Sequence, residues 1–269
     1  MLKRLWHLCP DPVRVLIRRL RSLLVDPSGR GVKVDISGAW VRVPAYFMGG
    51  GRAGYELESA GRFREWISGH LSGLVIDVGC SLSTYGAIAL DASPDTRVIA
   101  IDPDLASLVW TRFLCSCVGA PRRLRLVHGF VVASPEPAQG IDDAAADADR
   151  KVGRHPSPFA VSTKYQDGNE AANASVPRHS IDALMDRQEA PGGLLIKVDV
   201  EGHELGVLEG ALRTLRRLKP TLLLSVHPQF GVDVSRVRGF LESAGYATEH
   251  FATDHEEHWW CTTAAMRVT

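Results

Sequence analysis

Gly193-Leu-Leu-Ile-Lys-Val-Asp-Val-Glu-Gly-His-Glu-Leu-Gly-Val-Leu-Glu-Gly210 is the stretch on which the reading of this chain turns. Leu194, Leu195, Ile196, Val198 and Val200 form a nearly continuous apolar run, the pattern of a strand buried on both faces of a parallel sheet. Lys197, Asp199 and Glu201 interrupt it at alternate positions, and alternate side chains of a strand share a face. Gly202 allows a sharp turn. Residues 203–215 then read as one helix, with Leu205, Leu208, Leu212 and Leu215 on a single stripe. Charges inside so apolar a strand are costly unless they line a crevice, and open α/β sheets bind ligands in the crevice beyond their strand ends. The three charged residues therefore mark the expected site.

A second strand-to-turn passage lies upstream. Leu74-Val-Ile-Asp-Val-Gly-Cys-Ser-Leu-Ser83 is a strand entering a tight turn, with a helix starting at Thr84, and Val98-Ile-Ala-Ile-Asp102 is a further buried strand. Asp102 follows the turn by about 20 residues, the spacing at which a strand-end carboxylate accepts hydrogen bonds from a ribose. Residues 105–118 supply a helix and 124–132 a third strand. Together these form the nucleotide half of a doubly wound sheet. Gly79 stands where the first glycine of a nucleotide loop belongs, while Ser81 and Ser83 occupy the later small-residue positions. A dinucleotide pyrophosphate requires close backbone approach there, and a serine side chain intrudes, which argues against a nicotinamide-dependent oxidoreductase. An adenosine bearing a sulfonium and an amino-acid tail has no pyrophosphate to cradle. Asp77 is placed either to take the ammonium of that tail or to cap the helix.

Pieces of these segments resemble one family. Asp77-Val-Gly79, Ala100-Ile-Asp-Pro103, Ser180-Ile-Asp-Ala-Leu184 and above all the run from Ile196 to Ala211 are similar to the FkbM family of S-adenosylmethionine-dependent methyltransferases, over residues 55–228. The run Lys-x-Asp-x-Glu-Gly-x-Glu is the specific part. The resemblance implies a class I Rossmann-like methyltransferase fold, with a mostly parallel sheet and a terminal antiparallel strand. It also implies S-adenosylmethionine as cofactor and transfer of a methyl group to a hydroxyl of a secondary metabolite, sugar or glycolipid. The chain departs from the family at the nucleotide loop, where Gly79-Cys-Ser-Leu-Ser83 replaces the usual Gly-Ala-Asn-x-Gly, and at Asp102, which is usually glutamate. A non-catalytic cofactor-binding or scaffold protein is the alternative that would explain the altered loop.

Thr221-Leu-Leu-Leu-Ser-Val-His227 is expected as another buried strand, ending in a histidine beside the same crevice. An alcohol acceptor loses its proton as the new bond forms, so a base near neutral pKa is needed. His227 or Asp199 is the expected base, with Lys197 and Glu201 holding the site by charge pairing and His203 a third candidate. Asp77, Gly79, Ser81, Ser83 and Asp102 are the expected cofactor contacts. Glu56, at the start of a helix over 55–70, is a further candidate that could face a ligand.

The chain has 269 residues, 45% of them hydrophobic, enough to bury a full core, and its 31 Lys and Arg balance 31 Asp and Glu. Such a balance gives no pull toward nucleic acid. Five scattered cysteines lack zinc spacing and read as reduced core residues, and no apolar run is long enough for a membrane span. A cytoplasmic protein with a small-molecule or glycan partner is expected. Residues 1–54 are read as basic amphipathic helices followed by a hairpin over 32–43. Their arginines either rest on an anionic membrane or are the solvated face of helices packed on the domain or on a second copy in a homodimer. Residues 55–269 are read as the methyltransferase domain. Within it, 134–180 is a polar insert that is either a lid or a bland loop, and 246–251 and 259–266 are the closing antiparallel pair. Asp254-His-Glu-Glu-His258 lacks the His-Glu-x-x-His spacing and reads as a surface turn, not a metal site.

Overall fold

The computed structural model describes residues 32–36, 39–43, 57–118, 121–134, 176–186, 188–253 and 257–263, and Leu24, Asp26 and Pro27 besides. The expected N-terminal helices, Glu56, most of the 134–180 insert and the turn over 254–256 lie outside these residues.

Strands β3 (Leu74–Val78), β4 (Arg97–Asp102), β5 (Leu124–His128), β8 (Leu194–Val198), β9 (Thr221–Val226), β10 (Tyr246–Thr253) and β11 (Glu257–Thr263) build one sheet in the order β10-β11-β9-β8-β3-β4-β5. All neighbours are parallel except at β11, which runs antiparallel to both β9 and β10. The chain winds outward from β3 to β5, then returns to the other side of β3 to lay down β8 and β9. That reversal opens a crevice at the carboxyl ends of β3 and β8. β1 (Val32–Ile36) and β2 (Ala39–Val43) form the expected hairpin, and Val34 and Ile36 pack onto the core.

Both faces of the sheet are covered, which is why the inner strands carry few polar residues. Val75, Ala100, Leu195 and Leu223 face one side, against Phe63 and Ile67 of α1 (Leu57–Gly69), Ile88 of α2 (Thr84–Ala92) and Leu108 and Leu114 of α3 (Leu105–Cys117). Leu74, Ile76, Ile99, Ile196, Leu222 and Leu224 face the other. There they meet α4 (Ile181–Met185), α5 (Glu204–Glu209), α6 (Leu212–Leu218) and α7 (Val234–Ser243). Each fully buried aliphatic side chain contributes about 1.5–3 kcal/mol.

The helix expected over 203–215 is instead two, α5 and α6, broken at Gly210 and Ala211. The Gly210 carbonyl accepts from the Asp182 backbone amide at 2.9 Å, and a Cβ on Gly210 would collide with the carbonyl oxygen of Val132. The strand expected over 124–132 also divides. The chain bends at Gly129, and β6 (Phe130–Val131) pairs with β7 (Arg178–His179) in a separate two-stranded sheet. No helix among the described residues is long and apolar enough to cross a membrane.

Candidate active site

Val78 and Val198 are register partners at the ends of β3 and β8, so the loops that follow must touch. They do so at Gly79 and Asp199. The Asp199 amide donates to the Val78 carbonyl at 3.0 Å, and Gly79 has φ +70° with its α-carbon against the Asp199 carbonyl, where a side chain would collide. Glycine is required here by contact between two loops, beyond any contact to a ligand.

One residue back, Asp77 and Lys197 are also register partners and point to the same face, both nearly fully buried. Lys197 Nζ lies 3.1 Å from Asp199 Oδ2, 4.0 Å from Asp77 Oδ1 and 5.0 Å from the centre of the Tyr85 ring. A buried ammonium is tolerable only with such partners. On the far side of Asp199, His227 follows β9. Its Nε2 is 3.5 Å from Asp199 Oδ1, and its Nδ1 is hydrogen-bonded to Glu204 Oε1 at 2.6 Å. Glu204 Oε1 also accepts from the Gly202 amide at 3.1 Å. A continuous polar line thus runs Asp77, Lys197, Asp199, His227, Glu204. Side-chain exposure along it is 1%, 5%, 24%, 3% and 0%. Asp199 is where this line meets the crevice.

The expected common face of Lys197, Asp199 and Glu201 holds for the first two. β8 ends at Val198, and Glu201 stands exposed in a turn with φ +46°, so strand alternation does not reach it. His203 precedes α5, exposed and making no side-chain cap. Glu204 has no role in the sequence reading, although it closes the same charged run. The available signal was that a fourth charge follows a glycine turn, on a helix packed under the site.

In the nucleotide half, Asp102 ends β4 with both carboxylate oxygens engaged by backbone. Ser81 N donates to Oδ2 and Asp104 N to Oδ1, each at 2.8 Å. Burial pushes this carboxyl up to about 7, with the charges of Asp104 and Asp77 adding to the rise and the two amides pulling it back. Asp77 lies beneath the start of α2. Its Oδ2 accepts from Ser83 Oγ at 2.7 Å, so it anchors the loop from below. Ser81 and Ser83 have φ +49° and +48°, left-handed positions that strain a non-glycine residue. Ser81 is exposed and Ser83 buried.

The loop amides are used internally. Those of Gly79 and Cys80 both reach the Ile101 carbonyl, that of Ser81 reaches Asp102, and that of Ser83 the Cys80 carbonyl. These amides are not available to a pyrophosphate. The crevice instead presents carboxylates from Asp102 and Asp199, acceptors suited to ribose hydroxyls and to a cationic ligand. Each Asp102 oxygen keeps a lone pair beyond its amide bond, so the residues present fit an adenosine whose ribose lies at Asp102. A depression lined by Asp182, Glu209, Leu212, Arg213, Arg216 and Arg217 shares no residue with this site. Among the described residues, no group of three or more His, Cys, Asp or Glu is placed to hold a metal.

A seven-stranded sheet with one antiparallel strand, an acid ending the strand after the nucleotide loop, and a charged crevice at the reversal point define a class I methyltransferase fold. The chain belongs to the FkbM methyltransferase family, since residues 90–248 match the methyltransferase FkbM domain. S-adenosylmethionine is the methyl donor of this class, in agreement with the cofactor expected from the sequence. The hexuronic acid methyltransferase AglP of Haloferax volcanii is 30% identical over 181 residues, 67% of this chain and 66% of that protein. Methyltransferase FkbM from Methylobacillus flagellatus aligns with a TM-score of 0.47 at 17% identity, over 71% of this chain and 43% of that one. The O-methyltransferase TomG from Streptomyces achromogenes aligns with a TM-score of 0.46 at 12% identity, over 77% and 81%. The chain therefore spans about two thirds of the curated relative and under half of the Methylobacillus protein.

Proposed function

We propose that this protein transfers a methyl group from S-adenosylmethionine to a hydroxyl of a sugar, either free or carried on a lipid or a secondary metabolite. The observation that carries the reading is Asp199, a crevice carboxylate held between Lys197 and His227. When bound, S-adenosylmethionine supplies an electrophilic methyl carbon, and the protein's task is to hold a hydroxyl in line with it and to take its proton. Asp199 is the network's accessible acceptor, so it orients the hydroxyl and receives the proton. Lys197 fixes the rotamer of Asp199 through Oδ2, leaving Oδ1 toward His227. Asp102 would hold the ribose, and Asp77 acts through Ser83 to keep the loop in place.

Two further features support a sugar acceptor. Phe230 is 56% exposed although its turn is pinned, its amide donating to the His227 carbonyl at 3.0 Å. Its ring centre lies 5.7 Å from that of His227, which gives the site an apolar platform for the C–H face of a sugar ring. The name of the Haloferax relative also points to a sugar acid.

Asp199→Asn tests the reading, because it keeps the shape and removes the charge and the basicity. Binding of S-adenosylmethionine by calorimetry should stay within a few-fold, while methyl transfer to a sugar panel should fall by about 10²–10⁴, the scale for a lost general base. Full activity in a folded Asp199→Asn protein would place the chemistry elsewhere. A wild-type protein that binds the cofactor and methylates no hydroxyl would favour the scaffold role.

A further inference from the structure

We propose that Glu204 is a positioning residue. It holds His227 in the Nδ1–H tautomer, with Nε2 facing Asp199, so that His227 receives the proton that Asp199 takes from the acceptor. The role in catalysis rests on the reading of Asp199 given above; the tautomer does not. Glu204 is wholly buried at the start of α5, in the layer beneath the β9 strand end. A carboxylate in that position is destabilising unless its oxygens are engaged; Oε2 is buried without a hydrogen-bond partner among the described residues, so Oε1 carries both contacts, with His227 Nδ1 at 2.6 Å and with the Gly202 amide at 3.1 Å. An ionised carboxylate only accepts, so the imidazole must donate from Nδ1.

The consequence falls on the other nitrogen. With Nδ1 carrying the hydrogen, neutral His227 turns the lone pair of Nε2 toward Asp199 Oδ1, 3.5 Å away. Two acceptors facing each other across that gap form a slot for one proton. Glu204 lies on one side of the ring and Asp199 on the other, with Lys197 bonded to the far oxygen of Asp199. Two carboxylates flank the imidazole, so the imidazolium is stabilised when the slot fills. A buried carboxylate fixing tautomer and ring orientation behind a working imidazole is a recurrent device in proton transfer.

The step balances. A bond forms between the acceptor oxygen and the methyl carbon, and the carbon–sulfur bond breaks, with its electron pair going to sulfur to leave a neutral thioether. The hydroxyl proton passes to Asp199 and on to Nε2, and it returns to solvent through Asp199 once the product leaves.

The test reads His227 directly in the full-length protein. Nitrogen-15 NMR of the imidazole should show the Nδ1–H tautomer in the neutral wild-type ring, and an Nε2–H tautomer overturns the proposal. In Glu204→Gln, which can still accept from Nδ1, the His227 titration should move down by about one pH unit or more, since one flanking charge is gone. The acid limb of kcat should move with it. Turnover should fall about 10–100-fold, with KM for cofactor and acceptor unchanged, whereas a merely structural Glu204 would lower stability and leave turnover per folded molecule and the acid limb of kcat in place. An unshifted His227 titration in folded Glu204→Gln also overturns the proposal. If that variant does not fold, the wild-type tautomer alone decides. The expected NMR behaviour in a wild-type protein that transfers no methyl group would uphold the Glu204–His227 arrangement and remove the proposed function instead.

Discussion

At the scale of the residue, Asp102 couples binding to pH. Its folded carboxyl lies at about 7, above the 3.8 of a solvated aspartate, because burial disfavours the charged form. A folded value above the unfolded one means that the native state binds more protons between those limits. The stability from Asp102 is thus fully present below about pH 4 and is lost as pH rises through 7, at about 1.4 kcal/mol per pH unit per proton. Denaturation midpoints of the cofactor-free protein should therefore carry a declining component between pH 5 and 7.5 that is absent in Asp102→Asn. The same substitution should weaken S-adenosylmethionine binding by about 1.5–3 kcal/mol, the scale for hydrogen bonds to a charged group. An unaltered pH slope would show that Asp102 is ionised throughout, and unaltered affinity would remove it from the ribose site. The nearby serines divide the loop's work differently. Ser83 keeps its left-handed backbone and gains a buried bond to Asp77 in return, whereas Ser81 shows its side chain to solvent and lends its backbone, the amide to Asp102 and the carbonyl to Thr111 Oγ1.

At the scale of the element, the Ser180–Leu184 motif is structural. Ser180 Oγ accepts from the Ala183 amide and starts α4, while Asp182 reaches across to α6 and accepts from Arg213 N at 2.9 Å and Thr214 N at 2.7 Å. The break at Gly210 leaves α6 with unsatisfied amides at its first turn, and Asp182 supplies the acceptors that a local cap would have given. Asp182→Ala should lower unfolding free energy by about 0.5–2 kcal/mol in urea titration, with methyl transfer per folded molecule unchanged. A selective loss of turnover without a loss of stability would tie the motif to the site. The burial of Ile181 and Leu184 against the sheet fits the structural role.

At the scale of the whole molecule, the sheet order brings the nucleotide half and the acceptor half together, since β3 and β8 are distant in sequence and adjacent in space. A ligand across that junction stabilises both halves at once. S-adenosylmethionine at about a hundredfold over its Kd should add about 2.7 kcal/mol to stability, a rise of roughly 5–10 °C in Tm, and nicotinamide dinucleotide should add nothing. The opposite pattern in a thermal-shift experiment would reverse the choice of cofactor. Much of this architecture is legible in local pattern. Largely apolar runs marked β3, β4, β8 and β9, acids at strand ends marked the expected crevice, and the loop serines spoke against a pyrophosphate, because burial and backbone approach act on neighbouring residues along the chain. The two glutamates of one short run could not be told apart in that way. Alternation carried Glu201 toward the site and left Glu204 unremarked on a helix, whereas in the structure β8 stops at Val198, Glu201 turns outward and Glu204 closes on His227. Likewise, the leucine stripe over 203–215 gave no hint of its break at Gly210, where the Val132 carbonyl leaves no room for a side chain. These features depend on which strand lies beside which and on how closely two distant backbones meet, and such contacts arise only when the sheet is assembled.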